Sequence, residues 1–183
     1  TLFKKHTMYF EIFKDDAFSK FVIFLNSNSL KKLFENLLNV KSTGNFLAYQ
    51  YSIDMNYSEL FNFSENDFCV PGPGAIRGIQ KCFNNFDKGE ELKAIYYVQE
   101  NFDKLVEEFS NKMDRDLRPK LLPNHNLTLI DLQNCFCETD KLMREKQKDV
   151  KLDEKNRRIK QKYNPSNLGK IEYVFPKKWG KIL

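Results

Sequence analysis

Apolar residues recur at spacings of three and four along much of the chain, the pattern of helices that each bury one face. Residues 8–25 (MYFEIFKDDAFSKFVIFL) and 29–40 (SLKKLFENLLNV) carry it, and Ser29 stands where an N-cap belongs. Between residues 43 and 64, Phe46, Leu47, Gln50 and Ile53 suit a further helix, with Tyr49 sharing its buried face, and Ser64, three before Asp67, resembles a cap. Residues 89–117 place Leu92, Ile95, Tyr96, Phe102, Leu105, Val106 and Phe109 at helical spacing, as one long helix or two shorter ones. Two prolines in RPKLLPNHN interrupt the pattern. It resumes in LTLIDLQNCFCETDKLMRE, where Asp131 marks the expected helix start and Leu132, Cys135, Phe136, Leu142 and Met143 point inward. Residues 145–163 are charged with few apolar anchors, the end of the chain is irregular, and no internal repeat is present.

Composition agrees with a helical protein. In 183 residues, 41% are hydrophobic and seventeen are Phe, enough for a sizeable core, while seven Gly and six Pro are too few for many short strands and turns. The expected fold is all-α, with a helical domain over residues 1–144 and a basic charged segment over 145–183. Charge sharpens that division: residues 140–183 hold fourteen Lys/Arg against six Asp/Glu, a balance of +8 in a chain of net +5. Such asymmetry fits a polyanionic partner or a solvated charged helix.

The totals also exclude several classes. No apolar run reaches the length of a membrane span and no signal peptide opens the chain, so an intracellular location, cytoplasmic or nuclear, is expected, with no membrane partner. The chain opens on Thr1, as a piece lacking its natural start would, which leaves room for a separate partner domain. Cys69, Cys82, Cys135 and Cys137 form no C-x-x-C pair, and only His6 and His125 could join them. No metal site and no cofactor are therefore expected, and the thiols are read as reduced and mostly buried.

The stretch FCVPGPGAIRGIQKCF, residues 68–83, concentrates glycine in a chain poor in it. Pro71 fixes a turn, Gly72 and Gly74 are free to take positive φ, and Ala75 onward can begin a helix. Such a turn leaves the N–H groups of Gly74, Ala75 and Ile76 at a helix N-terminus, where the peptide dipoles favour a phosphate, with Arg77 beside them. A helix-to-helix turn with a glycine cap reads the same residues without a ligand. No G-x-x-x-x-G-K-[ST] occurs, so a nucleotide-binding loop within this chain is excluded.

The stretch resembles the helix-hairpin-helix motif of DNA glycosylases: a hydrophobic residue, Pro, Gly, any residue, Gly, then a helix with a small residue, Gly78, four positions on. Those enzymes place a catalytic Asp after a short hydrophobic run, and Leu127, Leu129 and Ile130 before Asp131 look similar, although Asp131 lies 57 residues beyond Gly74. An ionised Asp near the sugar would stabilise the positive charge that develops as the base departs, once the base is flipped from the stack. Alternatively Asp131 simply caps its helix. Glu138 lies two turns further along the same face and is the candidate second carboxylate, with Asp140 close by; an ion pair with Lys141 or Arg144 is the plainer role for such acids. Where some relatives of these glycosylases carry an attacking lysine this chain has Ile76, and Arg77 stays protonated, so the resemblance implies a monofunctional hydrolase.

A closer resemblance covers roughly residues 43–146. GNFLAYQYSIDMNYSELFNFSENDFCVPGPGAIRGIQKCF followed by DLQNCFCETDKLMR is similar to the α-glutamyl/putrescinyl thymine pyrophosphorylases and to the helical domain of the phage 5-hydroxymethyluracil DNA kinases. A bacterial defence glycosylase acting on glucosylated phage cytosines belongs to the same neighbourhood. Thr139 and Leu142 stand where that pattern has aromatic residues. The resemblance implies a DNA-binding helical module tied to thymine hypermodification, with Tyr49, Gln50, Asp54, Asn56 and Tyr57 as base-pocket candidates. Gln50 and Asn56 have amides suited to a pyrimidine edge and Tyr49 a ring suited to stacking; the same residues also suit helix capping and core filling. In the basic tail, Arg157, Arg158 and Lys160 are candidate phosphate contacts. Three functions follow: excision of a modified pyrimidine by Asp131; recognition of such a base for a separate kinase or transferase domain; or a structural role in a nucleic-acid complex.

Overall fold

The computed structural model describes residues 17–121, 126–146 and 175–179. Among them all regular structure is helical: α1 (Ala17–Leu25), α2 (Leu30–Leu38), α3 (Asn45–Asn56), α4 (Pro73–Cys82), α5 (Glu91–Glu100), α6 (Phe102–Met113), α7 (Leu129–Lys146) and a 3-10 turn at Lys177–Trp179. The all-α expectation holds. The chain divides into two compact units, Thr1–Val70 and Pro71–Leu183.

In the first unit, α2 is the regular amphipathic helix its spacing predicts. The Ser29 hydroxyl accepts a hydrogen bond from the Lys32 N–H (3.1 Å), and Leu30, Leu33, Phe34 and Leu37 are buried at the helical repeat. The Asn36 amide donates to Ser27 Oγ and to the Ile23 carbonyl, tying α2 to the end of α1. Among the described side chains of α1, Phe24 is buried, while Phe21, Val22, Ile23 and Leu25 are exposed. Residues 8–16, also read as helix, lie outside the described residues.

The buried face of α3 is turned from the expected one. Ala48, Tyr49, Ser52, Ile53 and Asn56 are buried, whereas Phe46 is 46% exposed and Leu47 36%. Ala48 and Ser52 are small and four apart, so this face admits close packing by α2, and the Ser52 hydroxyl is satisfied by donating to the Tyr49 carbonyl (2.7 Å). Ser64 closes a turn, accepting from the Asn66 N–H, and caps no helix.

The second unit is built on the pairing of α4 with α7. Phe83 joins Phe86, Tyr97 and Phe136 in an edge-to-face aromatic cluster, with ring centroids 5.5 to 6.4 Å apart. Residues 91–113 form two helices: they break at Asn101, whose amide donates to the Tyr97 carbonyl (2.9 Å). α7 begins at Leu129, two residues before the expected start. It buries Leu129, Ile130, Leu132, Gln133, Phe136 and Asp140, while Cys135 and Leu142 face outward.

Candidate functional site

The turn into α4 is the first element of the site. α4 starts at Pro73, whose fixed φ and missing N–H suit the first helical position. Gly72 precedes it in extended conformation (φ −73°) and Gly74 lies inside the helix. The expected positive φ at these two glycines is not found; among the described residues the one positive-φ glycine is Gly89 (φ 99°). Gly72 is buried, and its N–H donates to Gln133 Oε1 on α7 (3.2 Å).

Gly74 is glycine for a different reason from the one expected, and Gly78, expected as a small residue, shares that reason. A Cβ on Gly74 would stand 2.5 Å from Cys137 Sγ, and one on Gly78 would stand 2.0 Å from the Phe136 carbonyl oxygen. One turn apart, they form a shallow strip along which α4 meets the backbone of α7. The Ile76 N–H, expected to be open, donates to the Gly72 carbonyl (2.9 Å). The groups lacking an intrahelical acceptor are those of Gly74, which is half-buried, and Ala75, which is buried.

Asp131 sits in the first turn of α7, where its Oδ2 accepts from both the N–H (2.9 Å) and the hydroxyl (2.8 Å) of Thr128. The Asp131 N–H returns a long bond to Thr128 Oγ1 (3.4 Å). This reciprocal arrangement is a capping box in which Thr128 is the cap and Asp131 its third-residue partner, and the helix dipole favours a carboxylate there. Glu138, two turns on, is exposed and paired with Lys141. Near these acids the Cys135 thiol, exposed at its edge, is raised by partial desolvation of its sulfur, then by the negative charges of Asp131 and Glu138.

Sequence reasoning gave little weight to Asp140, the most heavily engaged carboxylate of this unit. It is fully buried, at 0% exposure. Arg77 Nε and Nη2 both donate to its Oδ2 (3.1 and 3.0 Å), the Lys81 ammonium donates to Oδ1, and Arg144 Nε lies 3.3 Å from Oδ2. Burial alone would raise the Asp140 pKa; hydrogen bonds from Lys81 and Arg77, with their charges, outweigh it and hold the carboxyl below its usual range. The pattern behind this cluster is present in the sequence: Arg77 and Lys81 are four apart on α4, as are Asp140 and Arg144 on α7.

The five base-pocket candidates belong to the first unit. Tyr49 is fully buried, its ring edge-on to Phe68 (6.0 Å) and its hydroxyl donating to the Phe68 carbonyl (3.4 Å); burial, and next the neighbouring Cys69, push its pKa far up. Burial also pushes the Cys69 thiol up to about 11, against a hydrogen bond from Tyr49. Asn56, also fully buried, donates Nδ2 to the Phe63 carbonyl (3.1 Å) and accepts the Phe63 N–H (2.9 Å). Asp54 is exposed and Tyr57 half-buried at the C-cap of α3. Gln50 differs from all of these, because its Nε2 is withdrawn from solvent and meets no acceptor among the described residues.

Arg157, Arg158 and Lys160 lie outside the described residues. Of the cysteines only Cys69 is buried; Cys82 and Cys135 are exposed and Cys137 is intermediate, which corrects the expectation of mostly buried thiols. Among the described residues no group of His, Cys, Asp and Glu converges as metal ligands, and no helix is long and apolar enough to cross a membrane.

Residues 2–152, most of the chain, match the family model described as 5-hmdU DNA kinase, helical domain. No curated protein and no solved structure matches the chain.

Proposed function

We propose that the chain, which belongs to the 5-hmdU DNA kinase helical-domain family, is a recognition module that binds DNA and selects a modified pyrimidine for a separate kinase or transferase domain. The observation that carries this reading over base excision is the state of Asp131: both contacts of its Oδ2 with Thr128 serve the start of α7. That carboxylate is held at the start of α7 through Oδ2, and freeing it from the cap would cost about 1 kcal/mol. The family's own description names a kinase, which needs a base presented rather than removed.

Gln50 is the residue proposed to read the base. A donor held out of water with no acceptor among the described residues is costly, and a pyrimidine carbonyl would satisfy it. Asp54 and Tyr57, on the same helix end, are proposed to flank it. Tyr49 and Asn56 act through the scaffold, one filling the core and the other clamping the chain at Phe63. The first-turn N–H of Gly74 is proposed to meet a phosphate of the strand, with Gly72, Ala75 and Ile76 shaping the turn that presents it.

Two measurements on one pair of duplexes test this. Fluorescence anisotropy with DNA carrying a single 5-hydroxymethyluracil should give tighter binding than with thymine at that position, and Gln50→Leu should erase the difference. Chromatography of the same mixtures should detect no free base. Equal affinity for the two duplexes would sink the recognition reading; base released by the wild type but not by Asp131→Asn would restore excision in its place.

A further inference from the structure

We infer that Arg77, Lys81 and Arg144, gathered around Asp140, form a binding site for a phosphate group. Arg77 and Lys81 bring two positive charges to the one carboxylate, and the cluster is largely withdrawn from water: the side chains of Lys81 and Arg144 are 14% and 11% exposed, against 33% for Arg77. Like charges held together in such a place repel, and an entering anion relieves that repulsion. The donor inventory points the same way. Arg77 spends Nε and Nη2 on a single oxygen of Asp140, and its Nη1 has no partner among the described residues. Lys81 spends one of its three N–H donors on the other oxygen. Arg77 is also the most exposed of the three, so its planar fork is the natural first contact for a phosphate, with the Lys81 charge behind it.

Asp140 is a positioning residue here. It holds Arg77 and Lys81, one turn apart on α4, at a single point, and its fixed negative charge lets the cluster fold before any ligand arrives. The site does not depend on recognition of a modified base, and its success or failure is separate from that reading.

Isothermal titration of the full chain with inorganic phosphate tests the site. The expected result is saturable one-to-one binding, weakened about tenfold in both Arg77→Met and Lys81→Met, as for the loss of one charged hydrogen bond. Lys31→Met, in the other unit, should bind like the wild type, and circular dichroism melts show which variants keep their fold. Oligonucleotides of one sequence with a 5′-phosphate or a 5′-hydroxyl then separate the sources: preference for the 5′-phosphate identifies a monoester, and equal binding of both, displaced by inorganic phosphate, identifies the strand backbone. No saturable phosphate binding, or binding that both folded variants retain in full, overturns the site.

Discussion

Gly78 of α4 lies against Phe136 of α7 so closely that a single added carbon would stand 2.0 Å from the Phe136 carbonyl oxygen. The obstacle is backbone, which cannot swing aside as a side chain would. Gly78→Ala should therefore force α4 and α7 apart and destabilise the protein by about 3 kcal/mol, read as a lowered midpoint in urea. Gly44 is the contrast, since it precedes α3 at φ −91° without a side-chain cap, and a Cβ there would meet nothing within 4 Å. Gly44→Asp should be tolerated, or stabilise by a few tenths of a kcal/mol.

Stability should fall in acid through Asp140. Its folded pKa is depressed, so its contribution is fully present above the unfolded value of about 3.9 and is lost as pH falls through the folded value. Urea titrations from pH 6 down to pH 2 should show that decline. In Asp140→Asn the protein should be weaker at pH 6 and its decline shallower, because Arg77 and Lys81 lose the carboxylate that holds them and the titrating group is gone; an unchanged slope would contradict the assignment.

The cap on α7 makes a coupled prediction. Thr128→Ala and Asp131→Ala should each cost about 1 kcal/mol, and the double variant less than their sum, because both singles remove the bond from the Thr128 hydroxyl to Asp131 Oδ2. Full additivity would mean that Asp131 acts through some other partner.

Asn56 clamps residues 57–63 by pairing with both backbone groups of Phe63. Asn56→Ala leaves those groups without their partner and should cost about 1–3 kcal/mol. Hydrogen exchange at the Phe63 amide should accelerate more than at the amides of α2, which a general loss of stability would not produce.

Local pattern determined the helices. The spacing of Leu30, Leu33, Phe34 and Leu37 names α2 and its buried face, and Ser29 names its start, because period and capping involve neighbours along one turn. The ordered phrases from residue 43 to residue 146 likewise pointed to the family. What the sequence could not display is how residues distant along the chain meet. Gly72, Gly74 and Gly78 look like a turn awaiting a ligand until α7 is seen lying on them, with Gln133 bonded to one and Cys137 and Phe136 pressed against the others. Arg77 looks like an isolated cation until Asp140, 63 residues later, is found holding two of its donors. The two smallest buried residues of α3, Ala48 and Ser52, chose its inner face over the larger Phe46 and Leu47. In each instance the deciding quantity is the closeness of two backbones or the pairing of buried charges, which arises only when helices pack.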